Sequence, residues 1–313
     1  MMNPKSKILI AGAETLAGKA LSELLNERGF TFLNISAEEI LSTEKVKQIF
    51  EQEKPEFVFL VAGKSGGIMA NQKYPATLMR ENLIAQTLMI EASWTYQVKK
   101  LLFLASSCVY PKNSPQPQKI ESIMTSPLEP TCQSYALAKL AGLELCKAYR
   151  KEHQAPFISV IAADAFGSGD NFDPENSHVV PALIGKMHAA KTKKQSSISL
   201  WGTGTPLRDF LFSQDLADGC FFLMTHYDND EPVNLTANCP LSIQELASLI
   251  KQTVGYTGEI IWDTQKQDGS PSKILDAAKI QSLGWKPSVR IREALQKTYE
   301  DFLAVKKREP LYA

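Results

Sequence analysis

The first half of the chain alternates short unbroken apolar runs with longer segments whose apolar positions recur every three or four residues. Runs of the first kind read as buried strands and segments of the second kind as amphipathic helices. On this basis Lys7 to Ala11, Thr31 to Ile35, Phe57 to Val61, the run from Leu101 and Phe157 to Ala162 are expected as strands. Thr15 to Arg28, Glu44 to Gln52, Pro75 to Tyr96 and the segment around Tyr135 are expected as helices. Strand-helix alternation of this kind predicts a parallel sheet covered on both faces, wound right-handedly into a doubly wound α/β fold.

The pattern changes after about Gly167. Gly169 to Asn176 has loop chemistry, and Val179 to Ala190 follows as a helix. Trp201 to Pro206 reads as a turn before a short strand at Arg208 to Leu211, and helices are expected at Leu216 to Thr225 and Ile243 to Val254. We therefore expect a dinucleotide-binding domain over residues 1–166. A smaller α/β substrate domain should fill most of 167–313, with segments returning to the first.

Composition narrows the function. The chain has 313 residues with 34 acidic and 34 basic side chains, so no overall field favours nucleic acid or an anionic membrane. No apolar run approaches the length of a membrane span. The five cysteines, Cys108, Cys132, Cys146, Cys220 and Cys239, are odd in number and widely spaced. That argues for a reducing cytoplasm and against a disulfide framework or a zinc site, and no metal is expected.

Two motifs carry chemistry. Gly12-Ala13-Glu14-Thr15-Leu16-Ala17-Gly18 follows a strand and opens a helix, the context of a dinucleotide-binding turn. Gly12 would permit the tight turn, Gly18 close packing, and the helix start would meet a pyrophosphate. Thr15 occupies the position where a glycine allows closest approach. The stretch after the second strand, Asn34-Ile35-Ser36-Ala37-Glu38-Glu39, holds no arginine, which by itself leans toward NAD or weak discrimination. Further on, Tyr135 and Lys139 lie four apart on a helix, where the ammonium should lower the phenol pKa. Upstream, strand alternation through Ser106-Ser107-Cys108 would turn Ser106 and Cys108 to one side and Ser107 away.

With Gly66-Gly67-Ile68, Ser106 to Pro111, Tyr135 to Gly142, Asn176-Ser177-His178, Trp201 to Phe210 and Asp268 to Pro271, the chain resembles the extended short-chain dehydrogenase/reductases. The closer likeness is to the branch that epimerises and reduces GDP-4-keto-6-deoxy sugars. The resemblance implies a Rossmann domain, a homodimer joined through the two long helices, and NADP as cofactor. It also implies Ser106, Tyr135 and Lys139 as a reductase triad, and Cys108 and His178 as the acid-base pair for C3 and C5. Gly12, Thr15, Leu16 and Gly18 would hold the cofactor, together with Ser106, Tyr135, Lys139 and His178. Asn176, Val179, Lys186, Trp201, Arg208 and Lys273 would bind the GDP-sugar, with Lys273 beside the guanosine.

Six positions depart from that pattern. Glu14 and Thr15 replace an arginine and a glycine, and a second phosphate-binding arginine aligns near Ala37. Asp164 replaces an asparagine, and Gly185-Lys186 replaces a double arginine. Three readings follow: an epimerase-reductase, a C4-reductase of a related GDP-4-keto sugar or heptose, and a nucleotide-sugar-binding subunit without turnover.

Overall fold

The computed structural model describes residues 2–173, 177–266 and 268–308. Its first half follows the apolar pattern closely. In order come β1 (Ile8–Ala11), α1 (Leu16–Glu27), β2 (Phe32–Ile35), α2 (Thr43–Glu53), β3 (Phe57–Leu60), α3 (Ile68–Lys73) and α4 (Pro75–Thr95). Then follow β4 (Lys100–Ser106), α5 (Gln133–His153), β5 (Phe157–Ala162) and β6 (Asp164–Phe166). The second half continues with α6 (Val179–Thr192), β7 (Ser197–Trp201), β8 (Leu207–Phe212), α7 (Ser213–His226), β9 (Val233–Leu235) and β10 (Pro240–Ser242). It ends with α8 (Ile243–Val254), β11 (Glu259–Asp263), β12 (Ser272–Lys273), α9 (Ala278–Ser282) and α10 (Ile291–Arg308).

The main sheet is parallel throughout, in the order β2-β1-β3-β4-β5-β9. Strands β1, β3 and β5 are wholly buried, as apolar runs covered on both faces must be. Helices α1 and α7 pack together, as do α4 and α5. The chain reverses direction across the sheet between β1 and β3, which opens a crevice at the carboxyl ends of the strands. The last strand, β9, comes from late in the chain.

A second core gathers Val180, Ile184 and Met187 of α6, Leu246 and Ile250 of α8 and Leu295 of α10. Strand β8 joins the two cores by alternation: Leu211 enters the first, Phe210 and Phe212 the second. Strand β8 also pairs with β6, β10 and β12, so residues from widely separated parts of the chain meet at its start. Among the described residues no helix is long and apolar enough to cross a membrane. No three His, Cys, Asp or Glu side chains among them gather as a metal site.

Candidate active site

The site is built where β4 and α5 meet. Gly142 lets the helix lie directly on the strand, since a Cβ there would come within 2.4 Å of the Phe103 ring. Gln86 of α4 fixes the same helix by donating to the Ala138 carbonyl at 2.6 Å. This packing sets Tyr135 and Lys139, both buried, against the end of β4.

Strand β4 stops at Ser106, and Ser107 to Val109 form a 3₁₀ turn. The alternation expected to align Ser106 with Cys108 therefore ends two residues short of the cysteine. The turn brings them together instead: the Cys108 N–H donates to Ser106 Oγ at 3.3 Å. Ser107 does not point out of the region either, because its hydroxyl donates to Asp164 Oδ1 at 3.3 Å. Tyr135 is hydrogen-bonded to Ser106.

The electrostatics differ from expectation. Burial above all, and then the charge on Cys108, push the Tyr135 phenol up, so it is held protonated. Lys139 does not lower it. Its ammonium is turned to the carbonyls of Leu104 at 3.2 Å and Ala62 at 3.4 Å, and burial brings its own pKa down to about 8.

Neither does Lys139 supply the positive surroundings of the thiol. That part falls to Lys273, whose ammonium donates to Cys108 Sγ at 3.7 Å. Lys273 was expected beside the guanosine; pairing of β12 with β8 instead delivers its side chain to the sulfur. A hydrogen bond from Cys132, and then the Lys273 charge, hold Cys108 well below the ordinary thiol range against its burial. Cys132 is the sulfur that stays protonated, because it hydrogen-bonds to Cys108, is buried and faces the Cys108 charge; it also lies 3.8 Å from the Glu129 carbonyl. No spacing rule singled out Cys132, although it stands one helical turn before Tyr135.

Asp164 and Arg208 complete the group. Arg208 and Lys273 are register partners on β8 and β12, and Arg208 Nε lies 4.0 Å from Asp164 Oδ2. A carboxylate thus stands beside two cations.

His178 precedes α6 as its N-cap residue, but its imidazole does not cap the helix. It is exposed, and its charge interacts with the buried carboxyl of Asp170. Gly67 brings the Gly66-Gly67-Ile68 segment against this loop, as a Cβ there would lie 2.6 Å from the Ser177 carbonyl oxygen. Among the described residues His178 has no hydrogen bond to the Ser106–Cys108–Tyr135 group. Val179 begins α6 and is half-buried. Lys186 donates to the Ser199 carbonyl of β7. Trp201 is 57 % exposed, with the Lys266 ammonium 5.7 Å from its ring centre. Asn176 lies outside the described residues.

Comparison with known proteins bears on these features. Residues 8–236 match the model of the NAD dependent epimerase/dehydratase family. The chain belongs to this family. It is 45 % identical to an Arabidopsis thaliana protein named putative GDP-L-fucose synthase 2, over 97 % of this chain and 93 % of that one. Among solved structures it resembles a GDP-6-OMe-4-keto-L-xylo-heptose reductase from C. jejuni, with a TM-score of 0.92 and 32 % identity. That match covers 97 % of this chain and 99 % of the other. It also resembles a GDP-L-fucose synthetase from Naegleria fowleri bound to NADP, with a TM-score of 0.90 and 26 % identity over 98 % of this chain and 97 % of that chain.

Family membership implies a nicotinamide dinucleotide, and the turn after β1 fits one. Gly12 has φ +94°, and a Cβ there would lie 2.5 Å from Ala62 Cα, so only glycine fits. Thr15 caps α1 by accepting from the Gly18 N–H at 3.1 Å. The Thr15 hydroxyl in turn donates to the Gly12 carbonyl at 2.7 Å. The start of α1 is thus left as a cradle of backbone N–H groups suited to a pyrophosphate.

The thiol geometry yields a direct expectation. Removing the Lys273 charge withdraws a stabilising cation from the thiolate, so Cys108 titrates at higher pH. In Lys273→Gln, the midpoint of iodoacetamide alkylation at Cys108 is expected to move upward, read by peptide mass analysis across pH. An unchanged midpoint would mean that the ammonium does not act on the sulfur.

Proposed function

We propose that this chain epimerises a GDP-4-keto-6-deoxyhexose at C3 and C5 and reduces it at C4, the reaction of a GDP-L-fucose synthase. One observation carries the reading: an ionisable sulfur with an ammonium 3.7 Å away adjoins the serine-tyrosine pair. Carbonyl reduction alone needs only the pair. A second acid-base centre in the same pocket matches chemistry that also moves protons on carbon.

The 4-keto group acidifies the hydrogens on C3 and C5. The Cys108 thiolate takes one of these protons, and the electrons move onto the C4 oxygen as an enolate. Ser106 and Tyr135 hold that oxygen by hydrogen bonds, which strengthen as charge develops there. His178 returns a proton to the opposite face of the same carbon and so inverts it. When bound, the reduced nicotinamide supplies the hydride for C4. Tyr135 then gives its proton to the C4 oxygen, and its raised pKa keeps that proton available at neutral pH. Lys139, whose ammonium faces the Leu104 and Ala62 carbonyls, would hold the nicotinamide ribose. Arg208 holds the sugar diphosphate, for which a planar fork is suited, once it leaves Asp164.

Turnover in heavy water tests this. The product is expected to carry deuterium at both C3 and C5. The likeness to the heptose reductase favours a second reading, a C4-reductase without epimerisation. Reduced product without deuterium at those carbons would establish that reading and end the first.

A further inference from the structure

The relative from Naegleria fowleri is described as bound to NADP, whose additional feature over NAD is a phosphate on the adenosine ribose. In a doubly wound fold that ribose lies by the end of β2, where a cation meets the phosphate or a carboxylate meets the free hydroxyls. The groups at this place do not suit a phosphate.

The turn after β1 is tied to the end of β2 by the Gly12 N–H, which donates to the Ile35 carbonyl at 2.8 Å. From the same turn the exposed Glu14 reaches across, and its carboxylate accepts from the Ala37 N–H at 2.6 Å. Beyond it, Glu39 accepts from both the N–H and the hydroxyl of Ser36, each at 3.0 Å. Those bonds keep the Glu39 carboxyl below the usual range, so it stays ionised. Two carboxylates therefore flank Ser36 and Ala37, and Glu38 adds a third acidic residue between them.

The neighbouring cations are engaged elsewhere. Lys19 of α1 donates to the Gly169 carbonyl at 2.8 Å. Lys64, beyond β3, lies 3.5 Å from the Glu81 carboxylate. Lys45 of α2 faces this corner, but its charge is set against the Glu39 carboxylate there. A phosphate dianion brought to this corner would face Glu14 with no arginine to receive it, and like charges so placed repel.

We infer that this chain takes NADH in preference to NADPH, with Glu14 accepting a hydrogen bond from the adenosine ribose and excluding a phosphate there. The inference rests on the epimerase-reductase reading only for the need of a reduced nicotinamide. Glu14 comes from the glycine turn, whereas the usual carboxylate stands at the end of β2. Its bond to Ala37 spans both loops and sets it at the same corner.

The test is a binding titration of the purified full-length chain with NADH and NADPH, read by nicotinamide fluorescence and without substrate. NADH is expected to bind at least about tenfold more tightly, a difference of about 1.4 kcal/mol. Glu14→Gln should narrow the gap, and Glu14→Arg should favour NADPH. Equal or tighter binding of NADPH by the unaltered chain overturns the inference, and so does a Glu14→Arg variant with an unchanged preference. Either result leaves the epimerase-reductase reading standing. Failure to turn over a GDP-4-keto sugar with either dinucleotide overturns that reading and leaves the measured preference intact.

Discussion

Replacing Cys108 by serine is expected to stop deuterium entry at C3 and C5 while leaving hydride consumption on the 4-keto sugar measurable. A hydroxyl in place of this sulfur is not ionised near neutral pH, so the base is lost. A positioned base contributes roughly 10²–10⁴ in rate, or about 3–5 kcal/mol of barrier. The exchange rate should therefore fall by two to four powers of ten. Proton NMR of the recovered sugar separates the two steps. Deuterium entry at the unaltered rate would mean that another group removes the carbon-bound protons. The acid limb follows from the same group. Its pKa is depressed, so thiolate is present at neutral pH and exchange fades as the pH drops through that lowered value.

The complementary change, Tyr135→Phe, should do the reverse. Without the phenol no proton reaches the C4 oxygen, and reduction should fall roughly 10²–10⁴-fold. Exchange at C3 and C5 should survive, since Ser106 still holds the oxygen. Dinucleotide oxidation is read in absorbance, and exchange by NMR on the same sample. Loss of both activities together would indicate that the phenol also shapes the enolate step. On the alkaline side, the lowered pKa of Lys139 predicts that reduction declines above about pH 8 as its ammonium is lost. The Tyr135 pKa is raised, so the phenol is not the group that titrates there.

The doubly wound sheet was legible because its strands are unbroken apolar runs and its helices keep one apolar stripe. Phe157–Ala162 and Ile243–Val254 form at the expected residues. The late elements were harder. Strands β6, β10 and β12 have two or three residues each, too few to display a period, and are fixed by pairing with β8. Strands β7, β9 and β11 and helices α3 and α10 also went unread. Chemistry on one element was readable from spacing, as with Tyr135 and Lys139 on α5. Chemistry between elements was not. Nothing in the run from Asp268 to Lys273 announces that its lysine meets a cysteine 165 residues earlier. The same holds for Cys132, whose partner is set by the packing of α5 on β4. Asp164 was visible as an unusual residue, but its place between Ser107 and Arg208 depends on the pairing of β6 with β8.

Lys273 reaches the thiol from a strand of only two residues, held to the start of β8. Any movement that lifts this short ribbon withdraws the ammonium and leaves the thiolate to the hydrogen bonds from Cys132 and Ser106. The base is thus tuned in part by docking of a distant segment. Its alkylation rate becomes a gauge of whether the late ribbon is seated, readable with no sugar in the pocket.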